Sequence, residues 1–127
     1  MELICQIKDI YKALYSFEKE FAKNFNMTIN EAMLLCCMKD GKPHSAFEIA
    51  EFIGLSNSRV SKIIMSVEER GWIIREIGAE DKRKMIFSLS QEGERIVKTM
   101  KKQSIPLDDV LSKLVGVDPK EALSSRT

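Results

Sequence analysis

The sequence holds one histidine, three cysteines and almost no surplus of either charge among its 127 residues, and each shortage removes a class of protein. His44 lies beside Pro43 in a turn, with no second histidine to share a metal ion, and no Ser or Cys sits at a spacing that names a nucleophile. No catalytic residue, metal or cofactor is expected, and the chain does not read as an enzyme. The cysteines are odd in number and two of them, Cys36 and Cys37, are adjacent. That is neither a disulfide framework nor the paired spacing of a zinc site, and it fits a reducing compartment. Charges interrupt every apolar stretch well before the roughly 18 residues of a membrane span, and no basic segment followed by an apolar run opens the chain. A soluble, cytoplasmic protein is expected. At 44% hydrophobic content the length suits one cored domain.

What is present is unevenly spread. The net charge is only +1, from 20 basic and 19 acidic side chains, so the whole chain is no polycation. Residues 56–84, however, carry 7 basic and 5 acidic side chains, against 6 and 8 in residues 1–55. From Ser56 to Val67 the only charges are Arg59 and Lys62, and Lys82, Arg83 and Lys84 follow one another soon after. A locally basic surface binds phosphates even when the whole protein is near neutral.

Hydrophobic spacing supplies the elements. Leu3, Ile7, Ile10, Leu14, Phe17 and Phe21 recur every three or four residues, which predicts a long amphipathic helix. Its stripe is longer than a small domain needs for its own core, so contact with another chain is expected, with ordinary intramolecular packing as the alternative. Thr28 to Glu31 has the capping-box pattern and opens an apolar helix through Met38 that stops at Asp40-Gly41. This helix is expected to be the buried centre. Ser45 to Glu48 repeats the box and opens a short helix with Phe47, Ile49, Ala50, Phe52 and Ile53, ended by Gly54. Ser56 then caps a helix whose Val60, Ile63, Ile64 and Val67 face inward.

Two helices joined by a tight glycine-containing turn make a helix-turn-helix, whose second helix fits a major groove about 12 Å wide. The outward face here holds Asn57, Ser58, Arg59, Ser61, Lys62 and Ser66, a small, hydroxyl-rich set without carboxylates. Asn57, Ser58, Arg59, Ser61 and Lys62 are the candidates for base and phosphate contacts, and the amides after Ser56 can hold a phosphate. The stretch "RGWIIREIGAEDKRKMIF" then reads as strand, loop, strand, a wing fastened by Ile73 or Ile74, Ile77, Ile86 and Leu89. Ser90 caps a further helix through Ile96, Val97 and Met100. Pro106 breaks it before a last apolar set of Leu107, Val110, Leu111 and Leu114.

Residues 28–102 of this pattern resemble the MarR (multiple-antibiotic-resistance regulator) family of winged-helix transcription factors. "DKR" at Asp81 to Arg83 followed by "FSLSQEG" at Phe87 to Gly93 resembles the family's wing signature of D-x-R followed by L-T-x-x-G, with Ser90 in place of Thr. "LSNSRVSKIIMSVEERGWI", Leu55 to Ile73, has the cadence of its recognition helix. The resemblance implies a mainly α fold with a small β-hairpin: a winged helix-turn-helix core at 28–102, flanked by dimerisation helices at 1–25 and 104–127. Leu3, Ile7, Ile10, Leu14 and Phe17 would meet Leu107, Val110, Leu111 and Leu114 in a homodimer, although the chain departs from the family pattern at its short, Pro106-containing carboxyl end. It further implies a sequence-specific regulator of double-stranded DNA with a near-palindromic operator, commonly a repressor released by a small molecule or another signal. Asp81, Lys82, Arg83 and Lys84 would meet DNA. Arg83 would enter the minor groove, where negative potential is concentrated, and Asp81 would orient it. Cys5 sits where oxidation-sensing members keep a reactive thiol, but it has no basic neighbour closer than Lys8, so the thiols read as structural. The competing reading is a winged-helix protein–protein interaction module without DNA binding. Such a module would show apolar or acidic side chains at Ser58, Ser61 and Lys62.

Overall fold

The computed structural model describes residues 1–78 and 84–102; the expectations for Asp81, Lys82, Arg83, Leu107, Val110, Leu111 and Leu114 lie outside these. In chain order the elements are α1 (Glu2–Phe25), α2 (Ile29–Cys37), β1 (His44–Ser45), α3 (Ala46–Ile53), α4 (Asn57–Glu69), β2 (Ile73–Ile77), β3 (Met85–Leu89) and α5 (Gln91–Lys102). The described residues divide into two units, 1–28 and 29–102.

The first unit is the long helix that the three-and-four spacing predicts. It ends at Asn26, whose left-handed backbone (φ 54°) turns its N–H onto the carbonyl of Ala22. Phe17, Phe21 and Phe25 stack in sequence along it, with ring centroids 6.1 and 4.6 Å apart. Leu3, Ile7, Ile10 and Leu14, on the same stripe, are exposed, Phe17 is half-buried and Phe21 is buried.

The second unit is built around α2, α3 and α4. Leu34, Leu35 and Met38, then Ile49, then Val60 and Val67 are fully enclosed, which is where inward-facing positions of three short amphipathic helices should fall. α2 is the buried centre expected of it through Leu34 and Leu35, but one face is open: Met33 and Cys36, three residues apart on it, are exposed. The two thiols therefore differ. Cys37 is buried, and desolvation, with Asp40, Glu48 and Cys36 adding to it, pushes its pKa up to about 11. Brief iodoacetamide treatment of the native protein at pH 7.5 should alkylate Cys5 and Cys36, both exposed, and spare Cys37. Mass mapping that finds Cys37 modified at a comparable rate would mean that α2 opens in solution.

The capping serines act as their spacing predicts, but one glutamate does not. Ser45 Oγ accepts from the amide of Glu48 at 3.2 Å. The Glu48 carboxylate, expected to reach back and close the box, instead accepts from His44 Nδ1 at 2.8 Å. His44 Nε2 meets Asp40 Oδ1 at 3.1 Å, so the ring bridges the turn after α2 to the first turn of α3. Burial alone would lower the His44 pKa, but the hydrogen bonds to Asp40 and Glu48 outweigh it and leave the value raised.

His44 also belongs to a strand that sequence patterning did not announce. β1 is two residues long and pairs with β3, giving an antiparallel sheet of order β1-β3-β2. The β2–β3 register pairs Ile73 with Leu89, Arg75 with Phe87 and Ile77 with Met85, so these six residues share one face. Ile86 pairs with Glu76 on the other face. The expected fastening set is corrected accordingly: Ile73 and Phe87 are the buried anchors, Ile86 points the other way, and Ile74 and Ile77 are exposed.

Candidate nucleic-acid interface

The surface around α4 is set by how that helix starts and by what holds its far end. Gly54, left-handed at φ 81°, ends α3 and allows the tight turn into Ser56. Ser56 Oγ accepts from the amide of Arg59 at 3.3 Å, and the Ser56 carbonyl accepts from Val60 N at 3.0 Å. With the first turn so fixed, Val60, Ile64 and Val67 are buried, while Asn57, Ser58, Arg59, Ser61 and Lys62 are exposed together. The structure thus brings these candidates onto one continuous outward surface beginning at the helix N-terminus, where the partial positive charge of unpaired amides favours an anion. Ser66, read from the sequence as part of that face, belongs elsewhere: it is half-buried and donates to Glu31.

Two carboxylates near the helix, Glu31 and Glu68, are engaged by arginines. Glu31, on α2 and only 2% exposed, accepts from Ser66 Oγ at 2.7 Å and pairs with Arg70 Nε at 2.8 Å. Arg70 lies with its guanidinium 4.7 Å from the Trp72 ring centroid. Glu68 receives two bonds from Arg75, 2.7 Å from Nη2 and 3.2 Å from Nε, and Arg75 in turn covers the Phe87 ring at 5.4 Å. Such fork-to-carboxylate pairs fix geometry as well as charge. Arg59 and Lys62, by contrast, pair with no carboxylate among the described residues. The outer surface of α4 therefore keeps its two cations available while Glu31 and Glu68 are neutralised.

Sequence reasoning missed these ties because their partners lie 7, 35 and 39 positions apart. Their effect is to fasten α4 to α2 through Glu31 and to strand β2 of the hairpin through Arg75. The hairpin is closed below its tip by the amide of Gly78 donating to the carbonyl of Lys84 at 2.8 Å, and Lys84 itself is exposed. One further feature of the α4 surface was not singled out from the sequence: Met65 is 56% exposed.

Other surfaces offer less chemistry. Among the described residues no group of three His, Cys, Asp or Glu side chains could hold a metal ion. A groove between α2 and α5 is lined by Ala32, Leu35, Cys36, Val97 and Met100, with Lys39 and Lys101 beside them.

Comparison with known proteins agrees with this geometry. Residues 27–85 match the MarR family. The chain is similar to YwoH, an uncharacterized HTH-type transcriptional regulator of Bacillus subtilis (strain 168), with 25% identity over 122 residues, covering 96% of this chain and 88% of that protein. An uncharacterized HTH-type transcriptional regulator of Bacillus anthracis is 26% identical over 98 residues, 73% of this chain and 65% of that protein. Among solved structures, a MarR mutant from E. coli complexed with operator DNA aligns over 98% of this chain and 91% of its own, at TM-score 0.77 and 16% identity, a likeness of fold.

Proposed function

We propose that the chain is a member of the MarR family, whose model matches residues 27–85, and that it is a homodimeric, sequence-specific DNA-binding transcriptional regulator whose α4 enters the major groove. It is a regulator and not an enzyme. The observation that carries the reading is the exposed, carboxylate-free start of α4, where Asn57, Ser58, Arg59, Ser61 and Lys62 stand together at a capped helix N-terminus. Asn57 and Ser58 have the donor and acceptor groups that base edges require, and Arg59 and Lys62 have the charge that phosphates require. Two such helices in a symmetric dimer would meet successive major grooves, so the operator should be a near-palindrome with half-site centres roughly 34 Å apart.

The wing completes the proposed surface. Arg83 is assigned to the minor groove, Asp81 to orienting it, and Lys82 and Lys84 to phosphates. Residues 1–25 and 104–127 are assigned to dimerisation, through Leu3, Ile7, Ile10, Leu14 and Phe17 together with Leu107, Val110, Leu111 and Leu114. Among the described residues no helix is long and apolar enough to cross a membrane, and a cytoplasmic location is part of the proposal. So are repression as the mode of regulation and release by a small molecule or another signal.

Selection of bound duplexes from a randomised DNA pool tests the reading, and enrichment of one near-palindrome is the expected result. On that duplex, Lys62→Ala should reduce the slope of log affinity against log salt by about 1, the share of one phosphate, while Arg83→Ala should weaken binding by about 1–3 kcal/mol. Absence of any enriched sequence would favour the protein–protein module instead.

A further inference from the structure

We infer that Met65 reads the 5-methyl group of a thymine in each operator half-site. The inference rests on the proposed DNA-binding role of α4 and adds a base identity to it. Along α4, Ser58, Lys62, Met65 and Glu69 follow one another at spacings of four, three and four, which puts them on one row opposite the buried Val60, Ile64 and Val67. Met65 is the one large apolar side chain of α4 left exposed, at 56%. It stands one turn beyond Ser61 and Lys62, on the outward surface assigned to DNA, while its neighbour Ser66 is turned inward onto Glu31.

The chemistry of the groove narrows what such a side chain can meet. Major-groove edges of the four base pairs present nitrogen and oxygen donors and acceptors, and a single kind of apolar group, the thymine C5-methyl. A thioether side chain offers no donor and only a weak acceptor, so among base edges the methyl is its complementary surface. Its unbranched chain adapts to the position of a methyl carbon without strict geometry. Glu69, the next member of the row, bears a carboxylate that phosphates repel, so the groove-facing part of the row ends with Met65.

The test uses the full chain and the tightest-binding duplex selected from a randomised pool. Each thymine in the half-sites is replaced by deoxyuridine, which lacks the methyl and keeps every hydrogen-bonding group. For the native protein, one symmetry-related thymine pair should stand out, with affinity falling about fourfold per half-site, the worth of one buried methyl-sized group. Met65→Ala should bind the unmodified duplex correspondingly less tightly, and its affinity should not change on replacing that thymine by deoxyuridine. Because Met65 is exposed, the variant's thermal denaturation midpoint should match that of the native chain. Equal sensitivity of Met65→Ala and native protein to deoxyuridine would overturn the inference. So would insensitivity of the native protein at every thymine, or a selected half-site without thymine. Those results would leave operator binding itself intact, whereas failure to select any duplex would remove the regulator reading and this inference with it.

Discussion

The double substitution Leu14→Glu, Phe17→Glu is expected to leave the chain monomeric at micromolar concentration and to remove most of its operator affinity. Both residues lie on the α1 stripe whose Leu3, Ile7, Ile10 and Leu14 are exposed in the single chain. An apolar side chain of this size gains about 1.5–3 kcal/mol when fully buried, and a carboxylate carried into an apolar interface without a partner costs several kcal/mol instead. A two-fold interface presents the same surface from both subunits, so every substitution acts twice. The summed loss raises the dimer dissociation constant by about a thousandfold or more, each 1.4 kcal/mol being a factor of ten. DNA binding follows, because a monomer engages one half-site without the effective concentration that the linked second half-site supplies. Sedimentation equilibrium measures the first effect and operator titration the second. Helix content by circular dichroism should be unchanged, since Leu14 is exposed and Phe17 half-buried. A variant that still sediments as a dimer would show that the subunits meet elsewhere.

Local sequence signals carried much of the architecture, and their failures have two causes. The helices of the second unit were legible from three-and-four spacing and from serines at their starts, and Ser45, Ser56 and Ser90 each accept the amide three residues on. The cluster from Asn57 to Lys62 was legible for the same reason, since a capped helix with four known inward positions fixes what points outward. Partners far along the chain were not legible. Glu48 has the capping-box spacing, yet the ring of His44 takes its carboxylate, a competition that no four-residue pattern expresses. β1 exists only because β3 lies beside it, two residues being too few to show alternation. The hairpin failed differently: isoleucines fall on both of its faces, Ile73 and Ile77 on one and Ile74 and Ile86 on the other, so alternation alone gave no inner face. Phe87, paired with Arg75 and buried, decides it.

Gly93→Ala is expected to destabilise the protein by about 3 kcal/mol and lower the thermal midpoint by roughly 10–20 °C, against what helix propensity foretells. Gly93 lies within α5, where alanine would ordinarily be favoured by up to about 1 kcal/mol. The surroundings reverse the sign. A Cβ at this position would overlap the carbonyl oxygen of Trp72 and press on its carbonyl carbon at 3.0 Å and on Leu89 Cδ2 at 3.1 Å. The oxygen has no easy retreat, because it accepts from Ser90 N at 2.9 Å and belongs to a buried residue whose own amide is bonded to Val67. Ser90 adds a second tie: its hydroxyl donates to the Gly71 carbonyl at 2.6 Å and accepts from Gly93 N at 3.0 Å. The start of α5, the end of α4 and the root of β2 therefore meet at one point, and only a residue without a side chain lets them approach so closely. Relieving the clash means moving α5 off the hairpin root, which also tilts the wing relative to α4, so operator affinity measured well below the unfolding transition should fall as well. An unchanged midpoint would mean that α5 sits further from Trp72 than this geometry holds. A lowered midpoint with unchanged affinity would mean that the wing keeps its aim without α5.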